Sequence, residues 1–590
     1  MLKSSRNKIL PLFALSFLCI NLFAQEQDLV KEMTENYIQI RQKPNTEELL
    51  KEWFKNVPMI GDTVYALLYG PMECPRCEVA IPNFWEKLKQ VDTQQKMVLI
   101  TSCSDSILAK EYNRMNGYTA DAYIYDTSDY YKQIFETNVG GLNGLHVLKI
   151  DRKRGNLLTG GQYTILNTKF IQQLIAYKGM LEKSNFIHDT ISRYDSYTEI
   201  PKEISLLSNS KDYRLECPKR ISTLFDTPRF YDNYLFFTDL VWNGTMLFQQ
   251  EGNGLKFREL LQVDSLEKNR HVNVPEAVYK NFVKHKMLFY IALGTNILDD
   301  KHIGISYSIP SVVPDGEEGA YGYYNAAVMI SKNIETLKPD SMITFDFDLK
   351  NETVFFNQHF YITKHLNQII MGCDKLTWPM EVEREEYEDV PTMNPFCQEF
   401  YEQQNPYIAV FNAQNGKLIR RYGNLDTCHA ISRTGYYFTR PISASYGDEL
   451  LYTDGYSGKV HIIKEGKEEE QTFEAFHIDT QSFPKPDTTL FYTYDYVKPY
   501  TKFFNRCITD VKFDQWYIYT ITKYAKPNTN IGARYVYTVI DRKNGKITER
   551  AIPPTTDNLI GCGLRQKGKK ITPFILLKGN SETIVREYFD

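Results

Sequence analysis

The sequence predicts two domains of different class, an α/β domain followed by a larger all-β domain. At 590 residues the chain is too long for a single hydrophobic core. Between about residues 60 and 182, short apolar runs alternate with stretches of helical periodicity, which is typical of an α/β fold. After Ser192 the long helical patterns almost disappear, and β-rich runs separated by turn residues recur. The 42 tyrosines and 34 phenylalanines also favour pleated, half-buried surfaces.

The first 24 residues have the pattern of a secretory signal peptide. Lys3, Arg6 and Lys8 supply positive charge, residues 9–23 are mostly apolar, and Ala24 ends the segment before a polar run. The apolar run is about 15 residues long, shorter than the roughly 20 residues that a membrane-spanning helix needs. We therefore expect cleavage after Ala24, export to the periplasm or the cell surface, and no membrane span in the mature chain. An uncleaved membrane anchor is the alternative.

The charge balance argues against a nucleic-acid partner. The chain has 69 Lys and Arg against 73 Asp and Glu, a formal net charge of −4, so no positive excess is present to neutralise phosphates. A Gly-rich phosphate loop, an HExxH zinc motif and a GxSxG nucleophile motif are all absent from the sequence. We expect no bound cofactor, and a protein client or partner.

The α/β part is predicted in two segments. Residues 25–57 form an N-terminal helical segment, because Leu29, Met33, Tyr37 and Ile40 recur at helical spacing. The α/β domain covers residues 58–185, in which alternating strands and helices indicate βαβ units and a mixed sheet. Strands are predicted at 64–69, 96–100, 122–125, 145–151 and 156–160, and helices at 77–90, 106–115 and 168–181.

The all-β domain, residues 186–590, repeats one hairpin pattern: an apolar strand, Asp or Asn, a short turn, Gly-Lys and another apolar strand. Asn415-Gly416 and Asn544-Gly545 are strong hairpin signals, because both residues tolerate positive φ. A single sandwich rarely grows so large, so the recurrence predicts radial repetition, that is, a β-propeller. Two packed β-domains are the alternative. Hairpins are predicted at 234–249, 408–419, 450–463 and 535–547.

The hairpin pattern resembles the blades of six-bladed propellers of the NHL and TolB type. Residues 408–423, IAVFNAQNGKLIRRYG, match it best. The resemblance implies six blades and a surface that binds a ligand or a protein.

Cys74-Pro75-Arg76-Cys77 carries the chemistry of the α/β domain, because it follows an apolar strand and opens a predicted helix. A thiol at a helix N-terminus meets free N–H groups and the positive end of the helix dipole, which stabilise a thiolate. Arg76 adds positive charge, and Cys77 is near enough in sequence to resolve a mixed disulfide. The sequence therefore predicts a redox-active pair in which Cys74 has a depressed pKa and Cys77 is the more buried thiol.

The surroundings of this pair make residues 58–182 resemble the thioredoxin superfamily, notably its exported thiol–disulfide oxidoreductases. In that family an apolar strand precedes the CxxC, and a helix-kinking proline follows the second cysteine by five residues. A later strand ends in a hairpin of the form LID…G. The matching residues here are Tyr65–Tyr69, Pro82 and Lys149-Ile150-Asp151…Gly155.

The chain departs from the family at two positions. The family places a cis-proline just before the later strand, where this chain has Leu145 followed by His146. Some thioredoxins place a buried acid six residues before the first cysteine, where this chain has Leu68. Both departures weaken the expectation of a general reductase.

Three interpretations of the cysteine pair remain open. Cys74 and Cys77 form a redox-active pair, a purely structural disulfide, or part of a metal site with His146 as the third soft ligand. Copper-handling members of the superfamily use related ligands, although with a different spacing. Cys103, after the second strand, and the adjacent Cys428 and His429 in the all-β domain are expected to be packing residues.

These patterns lead to two hypotheses about function. In the first, Cys74 attacks a client disulfide and Cys77 resolves it, while the propeller holds the client or a partner. The chain resembles proteins that join a thioredoxin-like domain to an NHL propeller in this order. In the second, both domains are non-catalytic binding scaffolds and the CxxC is a fixed disulfide.

Overall fold

The computed structural model describes the chain in segments, and the predicted signal peptide and the predicted domain boundary at 185–186 lie outside the described residues. The chain divides into two compact units, the first built mainly from residues 1–190 and the second mainly from the remainder. The described residues are 40–43, 46–55, 57, 62–71, 78, 80–103, 105–128, 130–137, 145–152, 156–162, 168–177, 200–201, 203–219, 221, 227–239, 242, 244–262, 291–314, 321–345, 354–355, 362–372, 374–375, 390–392, 394–467, 469–491, 494–524, 534–555, 558–579 and 582–589.

The first unit alternates strands and helices. In chain order its elements are β1 (Ile40–Gln42), α1 (Thr46–Trp53), β2 (Thr63–Tyr69), α2 (Ala80–Val91), β3 (Met97–Ser102), α3 (Ser106–Met115), β4 (Ala122–Asp126), α4 (Tyr131–Ile134), β5 (Phe135–Thr137), β6 (His146–Asp151), β7 (Asn156–Gln162) and α5 (Thr168–Ala176).

A mixed five-stranded sheet with the order β4-β3-β2-β6-β7 forms the centre of this unit. Strands β2, β3 and β4 are parallel, whereas β6 is antiparallel to both β2 and β7. Parallel neighbours need a crossover connection, and α2 and α3 lie in the two crossovers. Strands β2 and β3 are buried over nearly their whole length, as expected for central strands of apolar sequence.

Side chains form hydrogen bonds with the free backbone groups at the ends of two helices. The Asp105 carboxylate accepts hydrogen bonds from the backbone N–H groups of Ile107 and Leu108, so α3 begins with an N-cap. At the C-terminus of α5, the buried ammonium of Lys149 donates to the carbonyl oxygens of Leu174, Ile175 and Tyr177 at 2.6–2.8 Å. This lysine on β6 therefore satisfies the carbonyl groups at the C-terminus of α5.

The predicted N-terminal helical segment differs from the structure at its described end. Ile40 lies in β1, which pairs with β5, and the helix α1 begins only at Thr46. The strand pairing with a segment almost 100 residues later overrides the local helical spacing. Among the described residues, no helix combines the length and the apolar character needed to cross a membrane.

The second unit consists mostly of four-stranded antiparallel sheets, which we call blades 1 to 6. Blade 1 is β9 (Arg229–Tyr231), β10 (Tyr234–Asp239), β11 (Gly244–Glu251) and β12 (Gly254–Leu261); blade 2 is β13 (Ile291–Ile297), β14 (His302–Pro314), β15 (Tyr321–Asn333) and β16 (Pro339–Thr344); blade 3 is β18 (Ile362–His365), β19 (Gln368–Gly372), β21 (Pro406–Asn412) and β22 (Leu418–Asn424). Blade 4 is β23 (Ile442–Tyr446), β24 (Glu449–Thr453), β25 (Lys459–Lys464) and β26 (Glu470–Glu474); blade 5 is β27 (Arg506–Phe513), β28 (Tyr517–Tyr524), β29 (Arg534–Asp541) and β30 (Ile547–Ala551); blade 6 is β31 (Asn558–Lys567), β32 (Lys570–Lys578), β33 (Thr583–Phe589) and β8 (Asn209–Glu216).

Short elements lie in the connections between strands, both within and between blades. A two-stranded sheet pairs β17 (Val354–Phe355) with β20 (Asp374–Lys375). Helices α6 (Gln398–Glu402), α7 (Thr427–Ser432) and α8 (Tyr494–Val497) lie in connections, together with 3₁₀ turns at Thr480–Ser482, Thr488–Leu490 and Lys498–Tyr500.

The contacts between blades close a ring. The first strand of each blade contacts the first strand of the next, from β9 through β13, β18, β23 and β27 to β31, and β31 contacts β9 again. Blade 6 combines three strands from the end of the chain with β8 from the start of the unit, and β8 also pairs with β12. Radial repetition of antiparallel sheets with this closure is a propeller-like fold.

The predicted hairpins form, and only the glycine of each Asn-Gly turn has a positive φ. Gly416 and Gly545 have φ of 70°, whereas Asn415 and Asn544 do not have positive φ. In the first of these loops the Asn412 side chain accepts hydrogen bonds from the backbone N–H groups of the next turn residues. Gly416 is required for a second reason, because a Cβ there would lie 1.9 Å from the Thr344 carbonyl oxygen.

The buried Arg565 of blade 6 connects this blade to blade 1. Arg565 on β31 is 0% exposed, and its Nη1 lies 3.1 Å from Oε2 of Glu587 on β33. Its Nη2 donates to Oε1 of Gln250 in blade 1 at 2.6 Å. The guanidinium also lies over the ring of Phe230, 4.2 Å from the centroid, and near Tyr213 of β8.

We predict that Arg565→Met destabilises the second unit by about 2–4 kcal/mol, because it leaves the partly buried Glu587 carboxylate without its cation and removes the contact of Arg565 with Gln250. Arg586→Met, on the strand of Glu587 (β33), removes a partly exposed pair with Asp212 and is expected to cost less than about 1 kcal/mol. Differential scanning calorimetry of the full chain measures both. Equal effects of the two substitutions would contradict a specific closing role for Arg565.

Candidate functional site

The predicted redox pair lies in the connection between β2 and α2. Strand β2 ends at Tyr69, and α2 begins at Ala80. Cys74 and Cys77 themselves lie outside the described residues. The described surroundings of this connection are the ends of β2 and β3, the residues leading into α2, and the side chains of α3 that pack against them.

Glu78 directly follows Cys77 in sequence and is buried, with 1% of its surface exposed. The hydroxyl of Tyr112 on α3 donates a hydrogen bond to its Oε2 at 2.6 Å. The hydroxyl of Tyr118 donates to the same oxygen at 3.2 Å. Charge-assisted hydrogen bonds of this kind are the means by which a buried carboxylate is stabilised.

Three tyrosine rings surround this carboxylate. Tyr69, Tyr112 and Tyr118 pack with centroid separations of 5.8 to 6.5 Å. Burial and the negative charge of Glu78 raise the pKa of Tyr69 and of Tyr118 well above the ordinary value. The hydroxyls therefore stay protonated at physiological pH and act as donors. We call Glu78 and these three tyrosines the Glu78 cluster.

A second set of buried polar groups anchors the cluster to the sheet. The Tyr69 hydroxyl donates to Oδ1 of Asn113 on α3. The Asn113 amide in turn donates to Oγ1 of Thr101 on β3 at 2.9 Å. This network joins the ends of two parallel strands to α3, so the position of Glu78 is fixed by several elements.

Cys103 and Leu68 lie close to this region. Cys103 follows β3, is half-buried, and its backbone N–H donates to the Asp126 carbonyl oxygen at 3.0 Å. It is near enough to Tyr69 to influence the pKa of that tyrosine. Leu68, at the position where some thioredoxins have a buried acid, is a fully buried core residue.

His146, the third candidate metal ligand, begins β6 and is 1% exposed. It lies opposite Leu68 of β2 and Gln162 of β7, and its ring centroid is 6.5 Å from that of Phe135. In the part of the chain that the structure describes, no group of three or more His, Cys, Asp or Glu is arranged to hold a metal ion. Because both cysteines lie outside that part, the three-ligand hypothesis stays a prediction.

The sequence pattern did not predict the burial of Glu78. The family position for a buried acid, before the first cysteine, is occupied by Leu68. The one sequence feature that indicates a special role for Glu78 is its position directly after the second cysteine and just before α2, whose apolar residues pack into the core. Its burial depends on Tyr112 and Tyr118, which are 34 and 40 residues away in sequence.

In the second unit, Asp454 lies next to His429 of the adjacent pair Cys428 and His429. Nε2 of His429 lies 3.2 Å from Oδ2 of Asp454, and all three residues are buried. Burial lowers the pKa of His429, but the Cys428 thiol and the Asp454 carboxylate raise it well above its ordinary value. The His429 ring stacks on Phe504 at 5.5 Å. This burial is compatible with the packing role expected from sequence for Cys428 and His429, which stays a prediction.

Comparisons with known proteins add little to this picture. No family model and no curated protein matches the chain. Among solved structures it is similar to a luciferin-regenerating enzyme at 9% identity, over 62% of this chain and 92% of the other, with a TM-score of 0.29. It is similar to a Trypanosoma rangeli sialidase at 8% identity, over 65% of this chain and 60% of the other, with a TM-score of 0.33. It is similar to the RRP9 WD40 repeats at 7% identity, over 66% of this chain and 100% of the other, with a TM-score of 0.31. These similarities are too weak to argue from, and the propeller-like assignment depends on the strand pairing.

We predict that Tyr112→Phe weakens the first unit by about 1.5–3 kcal/mol, since it removes a buried hydrogen bond to a charged acceptor. Tyr123→Phe is the matched control, because that partly exposed hydroxyl donates to the neutral Tyr118 carbonyl, and we expect about 0.5–1.5 kcal/mol or less. Native-state hydrogen exchange of the β2 and β3 amides measures the change in unfolding free energy of the first unit in both variants. An effect of Tyr112→Phe no larger than the control would show that the Glu78 cluster contributes little.

Proposed function

We propose that this chain is an exported thiol–disulfide redox protein of the thioredoxin-like type, in which Cys74 and Cys77 are the reacting groups. The second unit, interpreted as a six-bladed propeller of the NHL or TolB type, would bind the client or a partner protein. The proposal applies to a mature chain that begins after Ala24.

One observation carries the proposal: the CPRC segment connects the end of β2 to the start of α2 within a parallel β2-α2-β3 unit. Ligands and reactive groups of open α/β sheets collect at the carboxyl ends of the strands. A thiol that precedes a helix at such an end meets the free N–H groups of its first turn. This supports a stabilised thiolate at Cys74.

The reaction balances with a client disulfide as the oxidant. The Cys74 thiolate attacks one client sulfur, so the client S–S bond breaks and a mixed disulfide forms while the other client sulfur leaves as a thiolate. Cys77 then loses its proton and attacks Cys74, which releases the second client sulfur. The client gains two electrons and ends as a dithiol, and Cys74 and Cys77 end as a disulfide.

One feature favours the alternative, a non-catalytic binding protein with a fixed disulfide. Leu145, which is fully buried, occupies the position of the family's cis-proline, so a partner backbone would lack that contact. The metal hypothesis with His146 gains no further support from the described residues. The pH dependence of thiol reactivity distinguishes a reactive pair from a fixed disulfide.

We predict that Cys74 of the reduced full chain is alkylated with an apparent pKa at least one unit below the unperturbed value of about 8.5. Peptide mapping by mass spectrometry separates Cys74 from the other thiols. We also expect Cys74→Ser to abolish exchange with a soluble aromatic disulfide, whereas Cys217→Ser leaves exchange unchanged. Ordinary titration of Cys74 together with unchanged exchange in Cys74→Ser would rule out the redox function.

The Glu78 carboxylate is expected to influence the pair, because a nearby negative charge disfavours a second one. We predict that Glu78→Gln lowers the apparent pKa of alkylation of the cysteine pair by about one unit. Glu86→Gln, at an exposed position of α2, serves as the control and is expected to leave this pKa unchanged. Identical titrations for Glu78→Gln and the unaltered chain would show that Glu78 does not act on the thiols.

A further inference from the structure

The turns that connect the first and second strands of the six blades lie at one end of the ring; we call them the first turns. Side-chain contacts join the residues beside the first turns of neighbouring blades: Tyr231–Asp300 at 3.2 Å for blades 1 and 2, Asp299–Lys364 at 2.8 Å for blades 2 and 3, His365–Ser445 at 2.8 Å for blades 3 and 4, Glu449–Arg542 at 2.9 Å for blades 4 and 5, and Arg565 to the Asp232 carbonyl oxygen at 3.3 Å for blades 6 and 1. Between blades 5 and 6, Oδ2 of Asp510 accepts a hydrogen bond from the Leu564 N–H at 2.7 Å, and each residue lies three positions before the end of its strand. We call this end of the ring the first-turn face.

The chemical character of the first-turn face changes around the ring. The first turns of blades 1 and 2 are acidic, with Asp232 in one and Asp299-Asp300 in the other. The first turns of blades 3, 4 and 5 contain or adjoin large apolar side chains. The first turn of blade 6 is basic, with the sequence Lys567-Gly568-Lys569-Lys570. In blade order, the face therefore has an acidic, an apolar and a basic sector.

The apolar sector exposes side chains that the core does not use. Five large apolar side chains beside the turns of this face are between 40% and 62% exposed: Leu366 in blade 3, Tyr446 in blade 4, and Trp516, Tyr517 and Ile547 in blade 5. Leu366 also has a φ of 53°, in the left-handed region that leucine rarely adopts. The fold holds this apolar side chain in water at a cost in backbone strain, which indicates a function at the surface.

The apolar sector is continuous from blade 4 to blade 5. The Tyr446 ring lies 5.9 Å from the Phe513 ring, centroid to centroid. The Arg542 guanidinium lies 5.7 Å from the centroid of the same Phe513 ring, and the Arg542 backbone N–H donates to the Trp516 carbonyl oxygen at 2.9 Å. Tyr446 and Trp516 are therefore connected through Phe513 and Arg542.

Exposed lysines adjoin the apolar sector on the side of blades 5 and 6. Two lie in the turn between the third and fourth strands of blade 5, and three lie in the first turn of blade 6: Lys543, Lys546, Lys567, Lys569 and Lys570. Within the described segments of the chain, none of the five forms an ion pair. Their neighbours Arg542 and Lys464, by contrast, are neutralised by Glu449 and Asp448, each at 2.9 Å. The five ammonium groups are therefore available to a negatively charged partner.

The backbone of the apolar first turns is hydrogen-bonded within each blade. The carbonyl oxygens of residues 367, 448 and 516 accept the backbone N–H groups of Ala413, Glu465 and Arg542, each at 2.9 Å. In these three blades the turns therefore present side chains, and not a strand edge that a peptide could extend. Exposed tryptophan, tyrosine and leucine beside lysines is the combination that suits the interface of a lipid bilayer.

We propose that blades 3 to 6 of the first-turn face bind the surface of a lipid bilayer that contains anionic lipids. Leu366, Tyr446 and Trp516 enter the headgroup region, where amphipathic aromatic rings are stable, and the five lysines contact the lipid phosphates. The acidic first turns of blades 1 and 2 are repelled by the same surface, which orients the ring. The proposal goes beyond the proposed redox function and does not depend on Cys74 or Cys77.

Cosedimentation with vesicles tests the proposal on the mature chain that begins after Ala24, because an unprocessed signal peptide would bind lipid by itself. The probes are vesicles of pure phosphatidylcholine and mixed vesicles of phosphatidylcholine and phosphatidylglycerol. We expect binding to the mixed vesicles at low ionic strength, at least about tenfold weaker binding to pure phosphatidylcholine, and release from the mixed vesicles at about 1 M salt. No binding to the mixed vesicles, or equal binding to both kinds, overturns the proposal.

Matched variants test the assignment to this face. Trp516→Ala is expected to weaken binding to the mixed vesicles at least about tenfold, whereas Ile431→Ala, an exposed residue in the connection between blades 3 and 4, should leave it unchanged. Replacing the three lysines of the first turn of blade 6 by glutamine should also weaken binding at least about tenfold. The control replaces three exposed lysines in the connection between blades 4 and 5: Lys485, Lys498 and Lys502. Equal effects of test and control variants contradict the assignment.

Two further measurements separate this proposal from its alternatives. Polyglutamate is the probe for an acidic polypeptide partner, and binding to it as tight as to the mixed vesicles, at equal charge concentration, would assign the face to a protein and overturn the lipid proposal. Cys74→Ser is expected to bind the mixed vesicles like the unaltered chain. Failure of the redox function would therefore leave vesicle binding intact, and the two proposals fail independently.

Discussion

The parallel pairing of β2 with β3 is the constraint on which the account of the first unit depends. Both strands are buried over almost their full length, so the chain must leave the sheet after Tyr69, and α2 lies in the crossover to β3. The CPRC segment occupies that exit. Its position between a strand end and a helix start is therefore a consequence of the sheet topology.

Both units bury charged groups and stabilise them in different ways. In the first unit, tyrosine hydroxyls hold the Glu78 carboxylate, and Lys149 is satisfied by carbonyl oxygens at the end of α5. In the second unit, Arg565 and Glu587 pair where the two ends of the ring meet. Loss of a partner leaves such a group with fewer hydrogen bonds in a poorly solvated environment, so we expect these contacts to contribute more to stability than exposed ion pairs.

Sequence patterns predicted the features that are set locally. The hairpin strands formed where apolar runs flank turn residues, and α3 occupies the predicted range 106–115. The features that failed or were missed depend on distant residues. Ile40 pairs with Thr137, and the burial of Glu78 requires two tyrosines from beyond β3. The closure of blade 6 by β8 joins segments more than 300 residues apart, and no local pattern encodes such a pairing.

The reduction potential of the Cys74–Cys77 pair tests the central claim most directly. Equilibration of the full chain with glutathione or dithiothreitol buffers, followed by trapping and mass spectrometry of the peptide that contains both cysteines, gives this value. A redox-active pair predicts a potential within the range of roughly −120 to −270 mV that exchange-active dithiols span. A potential below about −300 mV would mean a structural disulfide and would contradict the redox function.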